Sequence, residues 1–120
     1  MPRNRGSVSR IDSESASKIL RKVSMQESFF FFTDIDQYTG EFAQSLEDFY
    51  NKMSSVVLKS LDFHFKRGDF ERWIGEMLGD AYLADRIHRI KKSVQGEKLR
   101  TTLKGMVKRR LNQLEIAKEK

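Results

Sequence analysis

The stretch Ser60–Asp80, SLDFHFKRGDFERWIGEMLGD, decides how this chain folds. Its first part reads two ways. Leu61, Phe63 and Phe65 alternate as in a strand, whereas Leu61, His64 and Phe65 share one face of a helix with Ser60 as its cap. The next residues favour helix. Gly68 breaks the chain, and Asp69 stands where it caps a new helix whose apolar stripe is Phe70, Trp73, Ile74, Met77 and Leu78. Gly79 is placed to end that helix in the left-handed conformation. Asp80 then caps another helix, with Leu83, Ile87 and Ile90 inward. A short helix over Ser60–Lys66 is the resulting expectation.

Working outward, Ser45–Met53 carries start chemistry: Ser45 as cap, Asp48 three residues on, and Leu46, Phe49, Tyr50 and Met53 on one face. Before it, Glu27–Ile35 with its four consecutive phenylalanines reads as extended, and Asp36–Gly40 as a turn. On the other side, Gly96 precedes the longest helix, from about Glu97 to Ala117. There Leu99, Leu103, Met106, Val107, Leu111 and Leu114 recur at helical spacing, while the other faces are basic. The fold class is therefore mainly α: a small bundle of four to five helices, one short Phe-rich extended segment, and a core of Phe49, Phe63, Phe65, Phe70 and Trp73.

The chain has 120 residues, 38% of them hydrophobic and 33% charged. Typical domains run at about 45–50% apolar and 25% charged, so part of the chain should lie outside the core. Residues 1–10 hold almost nothing to bury. A short helix is possible over Ser13–Val23, with Ile19, Leu20 and Val23 on one side, but residues 1–24 are expected to be a flexible basic arm and residues 25–120 a single helical domain. Met25, where packing should begin, is a candidate start codon. The absence of cysteine excludes disulfides, thiol nucleophiles and thiolate zinc sites. The apolar runs fall far short of the about 20 residues that span a bilayer, and no secretory pattern follows the basic N-terminus. A cytoplasmic protein without membrane association is the expectation.

Charge is segregated. Residues 1–24 carry six Lys/Arg and two acids (+4), residues 25–85 five and twelve (−7), and residues 86–120 twelve and three (+9). The basic last helix, with Arg100, Lys104, Lys108, Arg109 and Arg110, is a candidate nucleic-acid surface, to which Arg3, Arg5 and Arg10 would add. The alternative is a solvated face balanced by the acidic middle of the chain. No aromatic residue follows Arg86, which argues against base stacking.

Phe29–Phe32 followed by Thr39-Gly40, then Ser45–Phe49, then Leu61–Trp73, then Leu78-Gly79-Asp80 with Leu83-Ala84, together resemble an uncharacterised prokaryotic family, the domain of unknown function numbered 5752. The resemblance runs from Ser28 to Leu114. It implies a compact, mainly helical domain and no activity, cofactor or substrate.

His64, with Asp69 and Trp73, is a candidate pocket. An imidazole among aromatics can move a proton or hold a ligand oxygen. Equally, it can be a core-edge ring bonded to a carbonyl or carboxylate, and no nucleophile stands at a suitable spacing. His88, between Arg86 and Arg89, reads as solvated. Asp34, Asp36 and Glu41 begin an alternation that calcium loops use, but the remaining ligands are missing. Arg67-Gly68-Asp69 spells an adhesion tripeptide, read here as a turn glycine and a helix cap. Metal ligands and cofactors are expected to be none. The expected function is a non-catalytic interaction or accessory domain with a protein partner. Nucleic-acid binding is the first alternative and a small-molecule pocket at His64 the second. A monomer is favoured over pairing along the last helix.

Overall fold

Phe29–Asp34 (β1) and Gln37–Ala43 (β2) form an antiparallel hairpin that closes through Ile35-Asp36. In this computed structural model, which describes residues 11–120, the hairpin is the only sheet among the described residues. The remainder is helical: α1 (Ser13–Leu20), α2 (Leu46–Ser55), α3 (Leu58–Arg67), α4 (Asp69–Trp73), α5 (Ala81–His88) and α6 (Gly96–Lys118). The described residues are thus mainly α, with six helices where four to five were expected. No helix among the described residues is long and apolar enough to cross a membrane.

Of the turn expected at Asp36–Gly40 only Asp36 turns, and Gln37–Gly40 begin β2. The chain reverses one step earlier, because Asp36 takes a left-handed conformation (φ 62°) that aspartate tolerates better than most residues. Phe30 lies opposite Phe42 and Phe32 opposite Tyr38, so four steps of β2 face two of β1. Two extra residues keep the parity of the side chains. The Thr39 hydroxyl fixes this bulge: it donates to the Phe31 carbonyl (2.7 Å) and accepts from Glu41 N–H (3.0 Å), while Gly40 supplies φ 91°. Phe29 and Phe31 consequently point into the core, and Phe30, Phe32, Tyr38 and Phe42 share the opposite face.

Phe31, Phe49, Phe65 and Phe70 are fully buried, with Trp73 close behind. Phe63, expected in this core, is only half-buried and walls a cleft. The reason is helical phase: His64 and Phe65 turn inward from α3, which leaves Phe63 at its edge. Met77 is also exposed. α4 continues as a π turn over Ile74–Leu78 before Gly79, which keeps Ile74 and Leu78 buried and leaves Met77 outside the stripe.

Two caps match the sequence and two do not. Ser45 Oγ accepts from Asp48 N–H (3.0 Å) and Asp80 from Leu83 N–H (3.1 Å). α3, however, begins at Leu58, so Ser60 lies inside it, buried with an unpartnered hydroxyl. Gly68 rather than Asp69 precedes α4, and the Asp69 carboxylate turns elsewhere.

The flexible arm expected over residues 1–24 is corrected from Ile11 onward; residues 1–10, with Arg3, Arg5 and Arg10, lie outside the described residues. α1 packs along α6, burying Ala16, Ile19 and, beyond the helix, Val23. Ser13 Oγ donates to the Lys118 carbonyl (2.8 Å), and Arg21 donates to the carbonyls of Met77 (2.8 Å) and Leu78 (3.4 Å) at the end of the π turn. Ala16, Ile19 and Val23 join the common core, with Ile11 and Leu20 packed against it, which the composition of residues 1–24 does not reveal.

Candidate functional site

His64, on the inner side of α3, faces β1. Its Nε2 lies 2.8 Å from the Phe32 backbone nitrogen and its Nδ1 lies 2.8 Å from Asp69 Oδ2. A backbone N–H can only donate, so Nε2 must be the bare, accepting nitrogen, and Nδ1 carries the proton given to Asp69. The ring is therefore neutral and both of its nitrogens are occupied. Burial disfavours its charged form and lowers its pKa below the ordinary 6.5, against the opposing pull of Asp69; the Arg67 charge lowers it further. Phe29, Phe31, Phe63 and Phe70 surround the ring.

Burial works against ionisation of Asp69. The His64 hydrogen bond, the Arg72 hydrogen bond and the Arg67 charge outweigh it, and the carboxyl stays below its ordinary 3.8. Arg67 Nε donates to Oδ2 (3.0 Å) and Arg72 donates to Oδ1 (3.0 Å). The three-residue Arg67-Gly68-Asp69 phrase is thus an internal ion pair across a left-handed glycine (φ 75°).

The expected trio does not converge. His64 and Asp69 line one cleft, but Trp73 lies in the core, its indole N–H donating to the Glu27 carbonyl (2.7 Å). The cleft, about 430 Å³, runs between the hairpin and α3. Its walls are Phe30, Phe32, Ile35 and Phe63; Asp34 and Asp36 also line it, and Arg67 sits 5.0 Å over the Phe63 ring. Glu41 is elsewhere, paired with Lys52 at 2.8 Å, so the acids singled out in the sequence form no common site. His88 is exposed, with Nδ1 3.3 Å from Glu71 Oε2.

Beside the cleft, the outer face of the hairpin carries a ladder of rings. Centroids are 5.9 Å apart for Phe42 and Phe30, 5.8 Å for Phe30 and Tyr38, and 5.4 Å for Tyr38 and Phe32. Tyr38 is 47% exposed and Ile35, at the tip, 68%. Sequence reading missed this face because it missed β2. The β-favouring residues Tyr38, Thr39 and Phe42, six to ten residues after the Phe run, were the signal that could have found it.

The five basic residues read as a nucleic-acid surface divide. Arg110 is buried, in a two-pronged pair with Asp80 (2.8 and 3.0 Å), over the Tyr82 ring and bonded to Gln113. Arg100 is largely covered and donates to the carbonyls of Met53 (2.7 Å) and Val56 (2.9 Å) at the end of α2. These two correct the expectation: they hold helices together. Lys104 is half-buried, and Lys108 and Arg109 are exposed.

No family model, curated protein or solved structure matches the chain.

Proposed function

We propose that the domain is a non-catalytic interaction module that docks a protein partner on the outer aromatic face of its hairpin and in the adjoining cleft. The observation that carries this reading is the ladder Phe42–Phe30–Tyr38–Phe32, left partly uncovered beside a histidine that has no nitrogen to spare. Apolar rings held at the surface of so small a domain cost solubility unless something covers them. A photo-crosslinking residue at Tyr38 tests it: discrete adducts are expected there and not from the same residue placed at Glu115 on α6. Equal labelling from both positions contradicts it.

The apolar seam of α6, Leu99, Leu103, Val107, Leu111 and Leu114, is covered by the chain itself, which supports a monomer. Membership of the family numbered 5752 is part of the same proposal: Leu61–Trp73, which carries the likeness, builds the cleft and much of the aromatic core. A small-molecule site at His64 has less support, since both ring nitrogens are occupied.

One observation favours nucleic acid as a second reading. Lys98, Lys104, Lys108 and Arg109 form no ion pair among the described residues, so the acidic middle of the chain does not neutralise them. Binding to unrelated duplexes at two salt concentrations tests this: steep weakening with salt supports it, and no affinity at low salt removes it.

A further inference from the structure

We infer that the partner presents a basic segment, with an arginine or lysine side chain entering the cleft between the Phe32 and Phe63 rings and the Asp34 and Asp36 carboxylates. The inference rests on the docking role proposed for the hairpin face.

Charge decides the class of partner. Three carboxylates and one guanidinium line the cleft, and they are not equally engaged. Asp69 is saturated by His64, Arg67 and Arg72, and Arg67 is in turn held by Asp69. Asp34 uses one oxygen on its neighbouring Ile35 N–H (2.8 Å) and keeps the other; Asp36 makes no side-chain bond among the described residues. Neither has a cationic partner among those residues. Among the described residues the cleft therefore offers two uncompensated negative charges at its edge, where an acidic peptide or a nucleic-acid phosphate would be repelled.

The walls fit the same ligand. Phe30, Phe32, Ile35 and Phe63 are apolar and suit the aliphatic stem of a long basic side chain. The site already holds one guanidinium in the way proposed: Arg67 lies 5.0 Å over Phe63 while its Nε reaches a carboxylate. Strand addition to β1 is blocked at this level, because His64 takes the Phe32 N–H. Recognition falls to side chains.

The test uses the full chain, labelled with ¹⁵N, and three capped hexapeptides: Arg-Leu-Arg-Arg-Leu-Arg, the same with glutamine for arginine, and the same with glutamate. The arginine peptide is expected to shift amides of Ser28–Asp36 and Phe63–Asp69, the glutamate peptide none. The double variant D34N/D36N is expected to weaken the arginine peptide about tenfold. Asparagine keeps the amide acceptor at position 34 and tolerates the left-handed backbone at 36, so an unchanged spectrum of the free variant verifies the fold. Equal shifts at the cleft from all three peptides, or undiminished binding by D34N/D36N, overturn the basic partner and leave the docking surface standing. Arginine-peptide shifts confined to other surfaces also overturn it. No cleft shifts with any peptide overturn it too, and the crosslinking at Tyr38 then judges the docking surface separately.

Discussion

At the scale of single residues, His64 and Arg110 show how little of a side chain's role its type reveals. The sequence places an imidazole between phenylalanines, but not the β1 amide that occupies it. That amide is 32 positions away, and its approach depends on a hairpin the sequence shows poorly. The folded state favours the neutral ring, whose Nε2 accepts the Phe32 N–H. Because its folded pKa lies below 6.5, the unfolded chain takes up the proton first. His64 thus contributes stability in full above pH 6.5, which is lost as pH falls through the folded pKa, at no more than about 1.4 kcal/mol per pH unit. Asp69, held below 3.8, contributes stability that is lost only in a second, more acid window. Urea midpoints measured from pH 8 to pH 5 should fall on the acid side, and His64→Ala should remove part of that slope. Arg110 is the opposite case, a residue that looks like surface charge and is buried at 5% exposure against Asp80 at 1%. Arg110→Ala leaves Asp80 charged without its partner and should cost about 3–5 kcal/mol in a denaturant titration. A cost below about 1 kcal/mol, the value of an exposed pair, would show that the pair is not buried in solution.

Elements were legible where local chemistry fixed them. Gly68, Gly79 and the caps at Ser45 and Asp80 mark helix boundaries because each satisfies backbone groups within a few residues. Elements that depend on distant surfaces were not. β2 turns on Ile35-Asp36, a pair without the usual glycine, and its bulge at Thr39–Glu41 breaks strict alternation. α1 shows in the sequence as a possible helix but not as part of the body, which it joins by packing Ala16 and Ile19 along α6. The packing of α1 can be checked in two ways. Ile19→Ala should destabilise by about 2–4 kcal/mol, the usual range for a buried aliphatic. A chain beginning at Met25 should melt well below the full chain, having lost Ala16, Ile19, Val23 and the Arg21 bonds to the π turn. Equal melting temperatures would return residues 11–24 to the status of an arm.

For the molecule as a whole, charge and aromaticity separate into two surfaces. The acids Asp34 and Asp36 stand with the ring ladder at the hairpin, while Lys98, Lys104, Lys108 and Arg109, without an ion pair among the described residues, lie on α6. The sequence shows this segregation as −7 against +9, yet not that Arg100 and Arg110 leave the basic side to hold the helices together. If the outer hairpin face serves a partner rather than the fold, its side chains can be removed at little cost to stability. The most direct test is the double variant Ile35→Ala/Tyr38→Ala, measured both for stability and for arginine-peptide binding. The expected result is a stability change of about 1 kcal/mol or less, as for an exposed cross-strand pair, with binding clearly weakened. A loss of several kcal/mol with binding intact would mean that these side chains are part of the core and that any partner docks elsewhere.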